Sequence, residues 1–373
     1  MTYRSLIPAL LSLLLWCTAA QADYIDRLQE AVAGWQDNLP ALKKSASAAA
    51  EKIVAGGHLY VGGAQQGFIW ETFGRSGGLM LCSLLDANTT LTDKDVILAA
   101  ANPQSDQGKI TALLERAKSS RAEVILFSRP GVTPALPKAL LDRQPSIESV
   151  SNVVGMWAWT GEFVRACLDH GKMPCMWESI WMPGGKARDT AFQASPFHAH
   201  SLDFPQGAPD LGRLYLTTLA DALEQLKKKN MESFRQAKDL LQSAVANKQP
   251  ILVLSMAHLF PSEMSSNPLP SSVSIPTKDT MPLPNAVTIY LGYQEFPWVN
   301  AALSGKDRVP CIITSSRHPG PEWMADKDHV YIDPCWAEED AAVALTGYDV
   351  KILPISGVMQ GAIFWELMEG IQP

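Results

Sequence analysis

Apolar positions recur along this chain in the same order twice. Tyr24, Ile25, Leu28 and Val32 are spaced for one face of a helix, and Tyr215, Leu216, Leu219 and Leu223 repeat that spacing. A second helix is predicted in each half. The first ends at Ile53-Val54-Ala55-Gly56-Gly57 and the second at Val245-Ala246-Asn247-Lys248, where Gly and Asn suit the left-handed residue that closes a helix. Strands follow: Leu59-Tyr60-Val61-Gly62 against Ile251-Leu252-Val253-Leu254, then Val96 to Ala100 against Val287 to Leu291, then Val124 to Ser128 against Cys311 to Ser315. Each half closes with an apolar helix, expected to open near Gly155 and Gly357. Landmarks about 190 residues apart and in one order imply a duplicated unit.

Short Val, Ile and Leu runs separated by helices predict parallel strands buried on both faces. Right-handed crossovers then wrap helices around each sheet. The predicted fold class is α/β, with two tandem doubly wound three-layer α/β/α lobes. The first lobe is assigned to residues 23–192, a Pro- and Gly-rich linker to 193–212, and the second lobe to 213–373. Ser262 to Pro284, dense in Ser and Pro, is expected to be an insertion and a candidate lid.

Residues 1–22 stand apart. Arg4, an apolar run from Leu6 to Trp16 and the small-x-small triplet Ala20-Gln21-Ala22 have the form of a cleavable signal peptide, with cleavage after Ala22 and a periplasmic or secreted product. The run is too short to span a bilayer, and no other segment is long and apolar enough. The net charge of the chain is −7, and loss of Arg4 makes it more negative still, which excludes nucleic acid as a natural partner. Five cysteines remain after cleavage: Cys82, Cys167, Cys175, Cys311 and Cys335. Their wide spacing describes buried thiols, with a Cys167–Cys175 bridge as the alternative.

Several stretches resemble the sugar isomerase (SIS) domain family. They are HLYVGGAQQGF, the helix with Glu71-Thr72-Phe73-Gly74-Arg75-Ser76-Gly77-Gly78-Leu79, the segment DKDVILAAANPQSDQGK, and AVANKQPILVLSMAHLF at the start of the second half. The resemblance covers nearly all of residues 24–370. It implies flavodoxin-like parallel sheets and a sugar or sugar phosphate bound at the carboxyl ends of the strands. It also implies aldose–ketose isomerase activity in some members and binding alone in others. Lobes of this kind pair; tandem fusion can supply that pairing within the chain, and a homodimer can supply it between chains. The departures are specific. The first loop reads Gly62-Gly63-Ala64-Gln65-Gln66, without the family's serine, and the second, Ala101 to Gly108, keeps only Ser105. Two readings follow: an exported sugar- or phosphosugar-binding protein with isomerase activity, or a non-catalytic module that has lost the phosphate-loop serines.

Loops that lead from parallel strands into helix N-termini offer free N–H groups to anions and hydroxyls. This marks Gly63, Gln65, Gln66, Asn102, Ser105 and Gln107 as ligand-binding candidates; the alternative is that the glycines only shape a turn. Isomerisation needs a carboxylate to move a proton, and Glu162, in an otherwise apolar helix, is the candidate base; the alternative is a surface Glu beside Arg165. His258 is the candidate for ring opening, or else a capping or buried neutral histidine. Arg317 and His318 are candidates for anion binding, or else part of a surface loop. Trp298, Trp323 and Trp336 lie near strand ends and could stack on sugar rings, whereas Trp157, Trp159 and Trp365 read as core. Lys186 and Arg188 either bind an anion or belong to a solvated loop. No metal is expected, because His198-Ala199-His200 lacks further ligands. No cofactor is expected either, because no P-loop or dinucleotide fingerprint occurs.

Overall fold

A computed structural model describes residues 23–102, 105–128, 131–133, 145–200, 202, 209–255, 269–274, 285–292, 310–316, 329–337, 339–369 and 371. His258, Arg317, His318, Trp298, Trp323 and the expected signal peptide lie outside the described residues.

Two parallel sheets form. The first contains β1 (Leu59–Val61), β2 (Cys82–Leu84), β3 (Val96–Ala100), β4 (Glu123–Phe127) and β5 (Val132–Thr133), in the order β2-β1-β3-β4-β5, with only β5 antiparallel. The second contains β6 (Ile251–Ser255), β7 (Val273–Ser274), β8 (Val287–Leu291), β9 (Cys311–Thr314) and β10 (His329–Tyr331), in the order β7-β6-β8-β9-β10, all parallel. The order β2-β1-β3-β4 matches β7-β6-β8-β9, so the echo in the sequence is an echo in topology. It also corrects one expectation: Val273–Ser274 falls inside the presumed insertion, yet it pairs with β6 as the counterpart of β2.

The helices are α1 (Tyr24–Asp37), α2 (Leu39–Val54), α3 (Gln66–Thr72), α4 (Gln107–Ser120), α5 (Pro145–Asp169), α6 (Gly185–Phe192), α7 (Leu211–Ala246) and α8 (Ser356–Met368). Helices α1, α2, α5, α7 and α8 contribute to one continuous core, which also takes the inner faces of both sheets, from Leu59, Val61 and Val96 to Ile251, Val253 and Ile289. The lobes therefore share their helical layer. On the outer face of the first sheet, α4 covers Ile97, Ala99 and Leu126 with Ile110, Leu113 and Ala117, which completes three layers in lobe one. Helices α5 and α8 are apolar nearly all round and are buried all round to match.

Two helix boundaries differ from the expectation. The paired helices of the second half are one continuous helix, α7, of 36 residues. In the first half Pro40, at the start of α2, has no N–H to continue α1, so the chain turns at Asn38; α7 contains no proline. Helix α5 also opens about ten residues before Gly155. Gly155 lies mid-helix because a Cβ there would sit 2.3 Å from the Trp35 ring. The core assignment of Trp157 and Trp159 holds, at 1% and 0% exposed, and Trp365 is 8% exposed. All five cysteines are free thiols. Among the described residues, no helix is long and apolar enough to cross a membrane.

Candidate functional site

At the carboxyl ends of β1 and β3, two loops converge on the first turns of α5. Gly63 turns the chain with φ 116°, a conformation that favours glycine. Gln65 follows, 3% exposed, and donates from Nε2 to the Ser149 carbonyl at 3.0 Å. Asn152 donates from Nδ2 to Gln65 Oε1 at 3.2 Å and to the Ala101 carbonyl at 3.0 Å. Asn102 Nδ2 donates to Ser149 Oγ at 2.6 Å. Ser105 closes the loop: its Oγ accepts the Asn102 N–H at 2.8 Å and donates to Asn102 Oδ1 at 3.0 Å. Asp106 then caps α4 by accepting the Lys109 N–H at 3.1 Å. Gln66 and Gln107 are exposed at the rim, each opening a helix.

The structure thus brings Gly63, Gln65, Gln66, Asn102, Ser105 and Gln107 to one end of lobe one. The result is a neutral, hydrogen-bonded floor that fixes two loop backbones beside the N-termini of α4 and α5. Sequence reasoning missed Ser149, Asn152 and Glu148. Glu148, in the first turn of α5, is 2% exposed. The available signal was the polar cluster Glu148-Ser149-x-Ser151-Asn152 opening an apolar helix.

Glu162 is elsewhere. It lies 13 residues further along α5 than Ser149, about 20 Å at helical rise. The surface reading beside Arg165 is overturned, since Glu162 is 3% exposed. Its Oε1 accepts the Gly212 N–H at 2.8 Å in the first turn of α7. Burial pushes its carboxyl up to about 7, while the Gly212 bond opposes that rise. What it visibly does is join α5 to the start of α7.

A second polar cluster joins the lobes. Arg75, 2% exposed, follows α3; its Nε donates to Glu71 Oε1 at 3.2 Å and its Nη2 to Asp340 Oδ2 at 2.6 Å and to Ser356 Oγ. Asp340 also accepts the Ser356 N–H at 2.9 Å and its hydroxyl at 2.7 Å, at the start of α8. Strands β11 (Ala341–Val343) and β12 (Ile352–Pro354) form an antiparallel pair between Asp340 and Ser356. Leu353 holds a left-handed φ of 64° there and donates its N–H to the Gly77 carbonyl at 2.9 Å. Burial raises the Glu71 carboxyl, and Arg75 works against the rise.

The linker side of this seam is also tied down. Arg188 does not sit in a solvated loop: on α6 it clamps Asp349 through Nε at 2.6 Å and Nη2 at 3.0 Å, and donates to the Tyr348 hydroxyl at 3.0 Å. His198 Nε2 meets the same hydroxyl at 3.0 Å. Trp336 is 8% exposed and packs in the core, so it offers no open ring face.

No family model and no curated protein matches this chain. Solved structures do. A presumptive sugar binding protein from Salmonella typhimurium LT2 superimposes with a TM-score of 0.51 at 10% identity, covering 94% of this chain and 98% of that one. The fold is SIS-like. Two further SIS-like neighbours superimpose less closely. The C-terminal domain of glucosamine-fructose-6-phosphate aminotransferase from Francisella tularensis gives a TM-score of 0.42 at 8% identity over 94% and 96% of the two chains. A presumptive phosphosugar isomerase from Bacillus subtilis gives 0.36 at 10% identity over 84% of each.

Proposed function

We propose that this SIS-like protein is exported, with cleavage after Ala22, and binds a sugar or sugar phosphate at the strand ends of its first lobe. The observation that carries the reading is the floor of Gln65, Asn102, Ser105, Ser149 and Asn152, which holds two loops against two helix N-termini. The amides and hydroxyls of the floor are engaged with one another, so it is the loop backbones they fix, together with the helix ends, that offer N–H groups to hydroxyls and to an anion. The missing loop serines and the distant Glu162 favour binding without turnover. A thermal-shift screen of sugar phosphates tests this. A ligand at 100 times its dissociation constant stabilises by about 2.7 kcal/mol. Fructose 6-phosphate or a close relative is expected to raise the melting temperature of the wild type and much less that of Asn102→Ala. Equal shifts in both proteins would count against the site.

Isomerase activity is the second reading, and one observation favours it: a buried acid, Glu148, occupies the same turn as Ser149. On this reading Glu148, not Glu162, is the carboxylate near the ligand. Proton exchange at the carbon next to the carbonyl, followed by NMR, is expected in the wild type and lost in Glu148→Gln, with Glu162→Gln unaffected.

A further inference from the structure

We propose that the seam between the lobes holds a separate site for a small organic ammonium compound of amino-sugar size. A cavity of about 220 Å³ opens there. Trp177, Glu178 and Ser179 line one wall, from the segment after α5; Glu339, Asp349 and Lys351 line the other, from the turns around β11 and β12. None of the strand-end residues of lobe one borders it, so it is a different place from the sugar site proposed above.

The charges choose the ligand. Three carboxylates and one ammonium line the cavity. Lys351 is paired with Glu339, and Asp349 is held by Arg188 behind it. Among the described residues, the Glu178 side chain makes no hydrogen bond or ion pair; its backbone N–H is the group that is held, donating to Asp189 at 2.9 Å. Burial raises the Glu178 carboxyl, Arg188 opposes the rise, and Asp349 and Asp189 add to it. A partly buried carboxylate facing other acids is relieved by an incoming cation. Trp177 adds an aromatic residue, whose ring face attracts an ammonium. Ser179, 6% exposed, adds a hydroxyl.

The position gives binding a structural consequence. Trp177 exchanges backbone hydrogen bonds with Gly77 at 2.7 Å and Gly78 at 2.8 Å, next to Arg75, while Glu339 precedes Asp340. A ligand in the cavity therefore touches segments that flank the Arg75–Asp340 joint on both sides.

Isothermal titration with glucosamine, N-acetylglucosamine and glucose tests the proposal. Saturable binding of glucosamine is expected, with the two neutral sugars at least about tenfold weaker. Glu178→Gln is expected to weaken glucosamine by about tenfold while keeping the wild-type melting temperature. Asn102→Ala, at the other site, is expected to leave glucosamine binding unchanged. No saturable glucosamine binding, equal binding of the neutral sugars, or an unaffected Glu178→Gln would each overturn the proposal. Loss of binding in Asn102→Ala would instead assign glucosamine to the strand ends and overturn the seam site. Absence of sugar phosphate binding would count against the strand-end reading alone.

Discussion

The two buried polar clusters solve the same problem with different chemistry. The strand-end floor of lobe one uses neutral amides and hydroxyls that satisfy one another at 2.6 to 3.2 Å. The seam uses charges: one guanidinium, Arg75, serves two carboxylates, Glu71 and Asp340, all of them 2% exposed or less. A neutral network loses about 1–3 kcal/mol when one buried member goes and its partner is left unsatisfied. A buried charge network loses much, because the surviving charges keep their desolvation cost. Sensitivity to single substitutions is thus concentrated at the seam rather than at the strand-end floor.

Removing Arg75 breaks this contrast most severely. Arg75→Met leaves Glu71 and Asp340 facing each other without a cation, and losses of about 3–5 kcal/mol are typical of a severed buried pair. Urea unfolding reads the effect; a loss below about 1 kcal/mol would mean that Glu71 and Asp340 do not depend on Arg75 for charge compensation.

Glu162 offers a pH-dependent version. Its folded carboxyl, near 7, lies above its unfolded value. Below the unfolded value the group is protonated in both states and costs nothing. As pH rises toward 7, the unfolded state ionises first and gains, so stability falls, and it levels off once the folded group ionises too. The total is on the order of 3 kcal/mol. Glu162→Gln keeps an oxygen for the Gly212 N–H and is expected to flatten the slope between about pH 4.5 and pH 7 in thermal melts. An unchanged slope would place the titration elsewhere.

The smallest effect belongs to the floor. Ser105→Ala removes two short local bonds and is expected to cost about 1 kcal/mol by urea unfolding. A loss as large as that of Arg75→Met would erase the distinction between the clusters.

Much of the fold was legible in the sequence because parallel strands buried on both faces are short apolar runs, and here they occur twice. What failed to show had physical reasons. Pro40 breaks one helix pair, and nothing breaks its counterpart, a contrast lost when only the apolar face is followed. Gly155 looked like a helix start and is instead a contact with Trp35, more than 100 residues away in sequence. The β7 strand is two residues long and buried in a Ser- and Pro-rich stretch. The placement of the loop residues at one end of the first sheet was legible because strand ends and helix starts mark them locally. Ser149 and Asn152 reach those loops across 47 to 87 residues, and Arg75 finds Asp340 across 265. No local pattern encodes such partners.

The location of the ligand is the claim on which this account rests, and hydrogen–deuterium exchange with and without fructose 6-phosphate tests it most directly. Slower exchange is expected in peptides covering Gly62 to Gln66 and Ser105 to Lys109, at the two loops of lobe one. Protection confined to other segments, or no protection at saturating ligand, would contradict a sugar site at these strand ends.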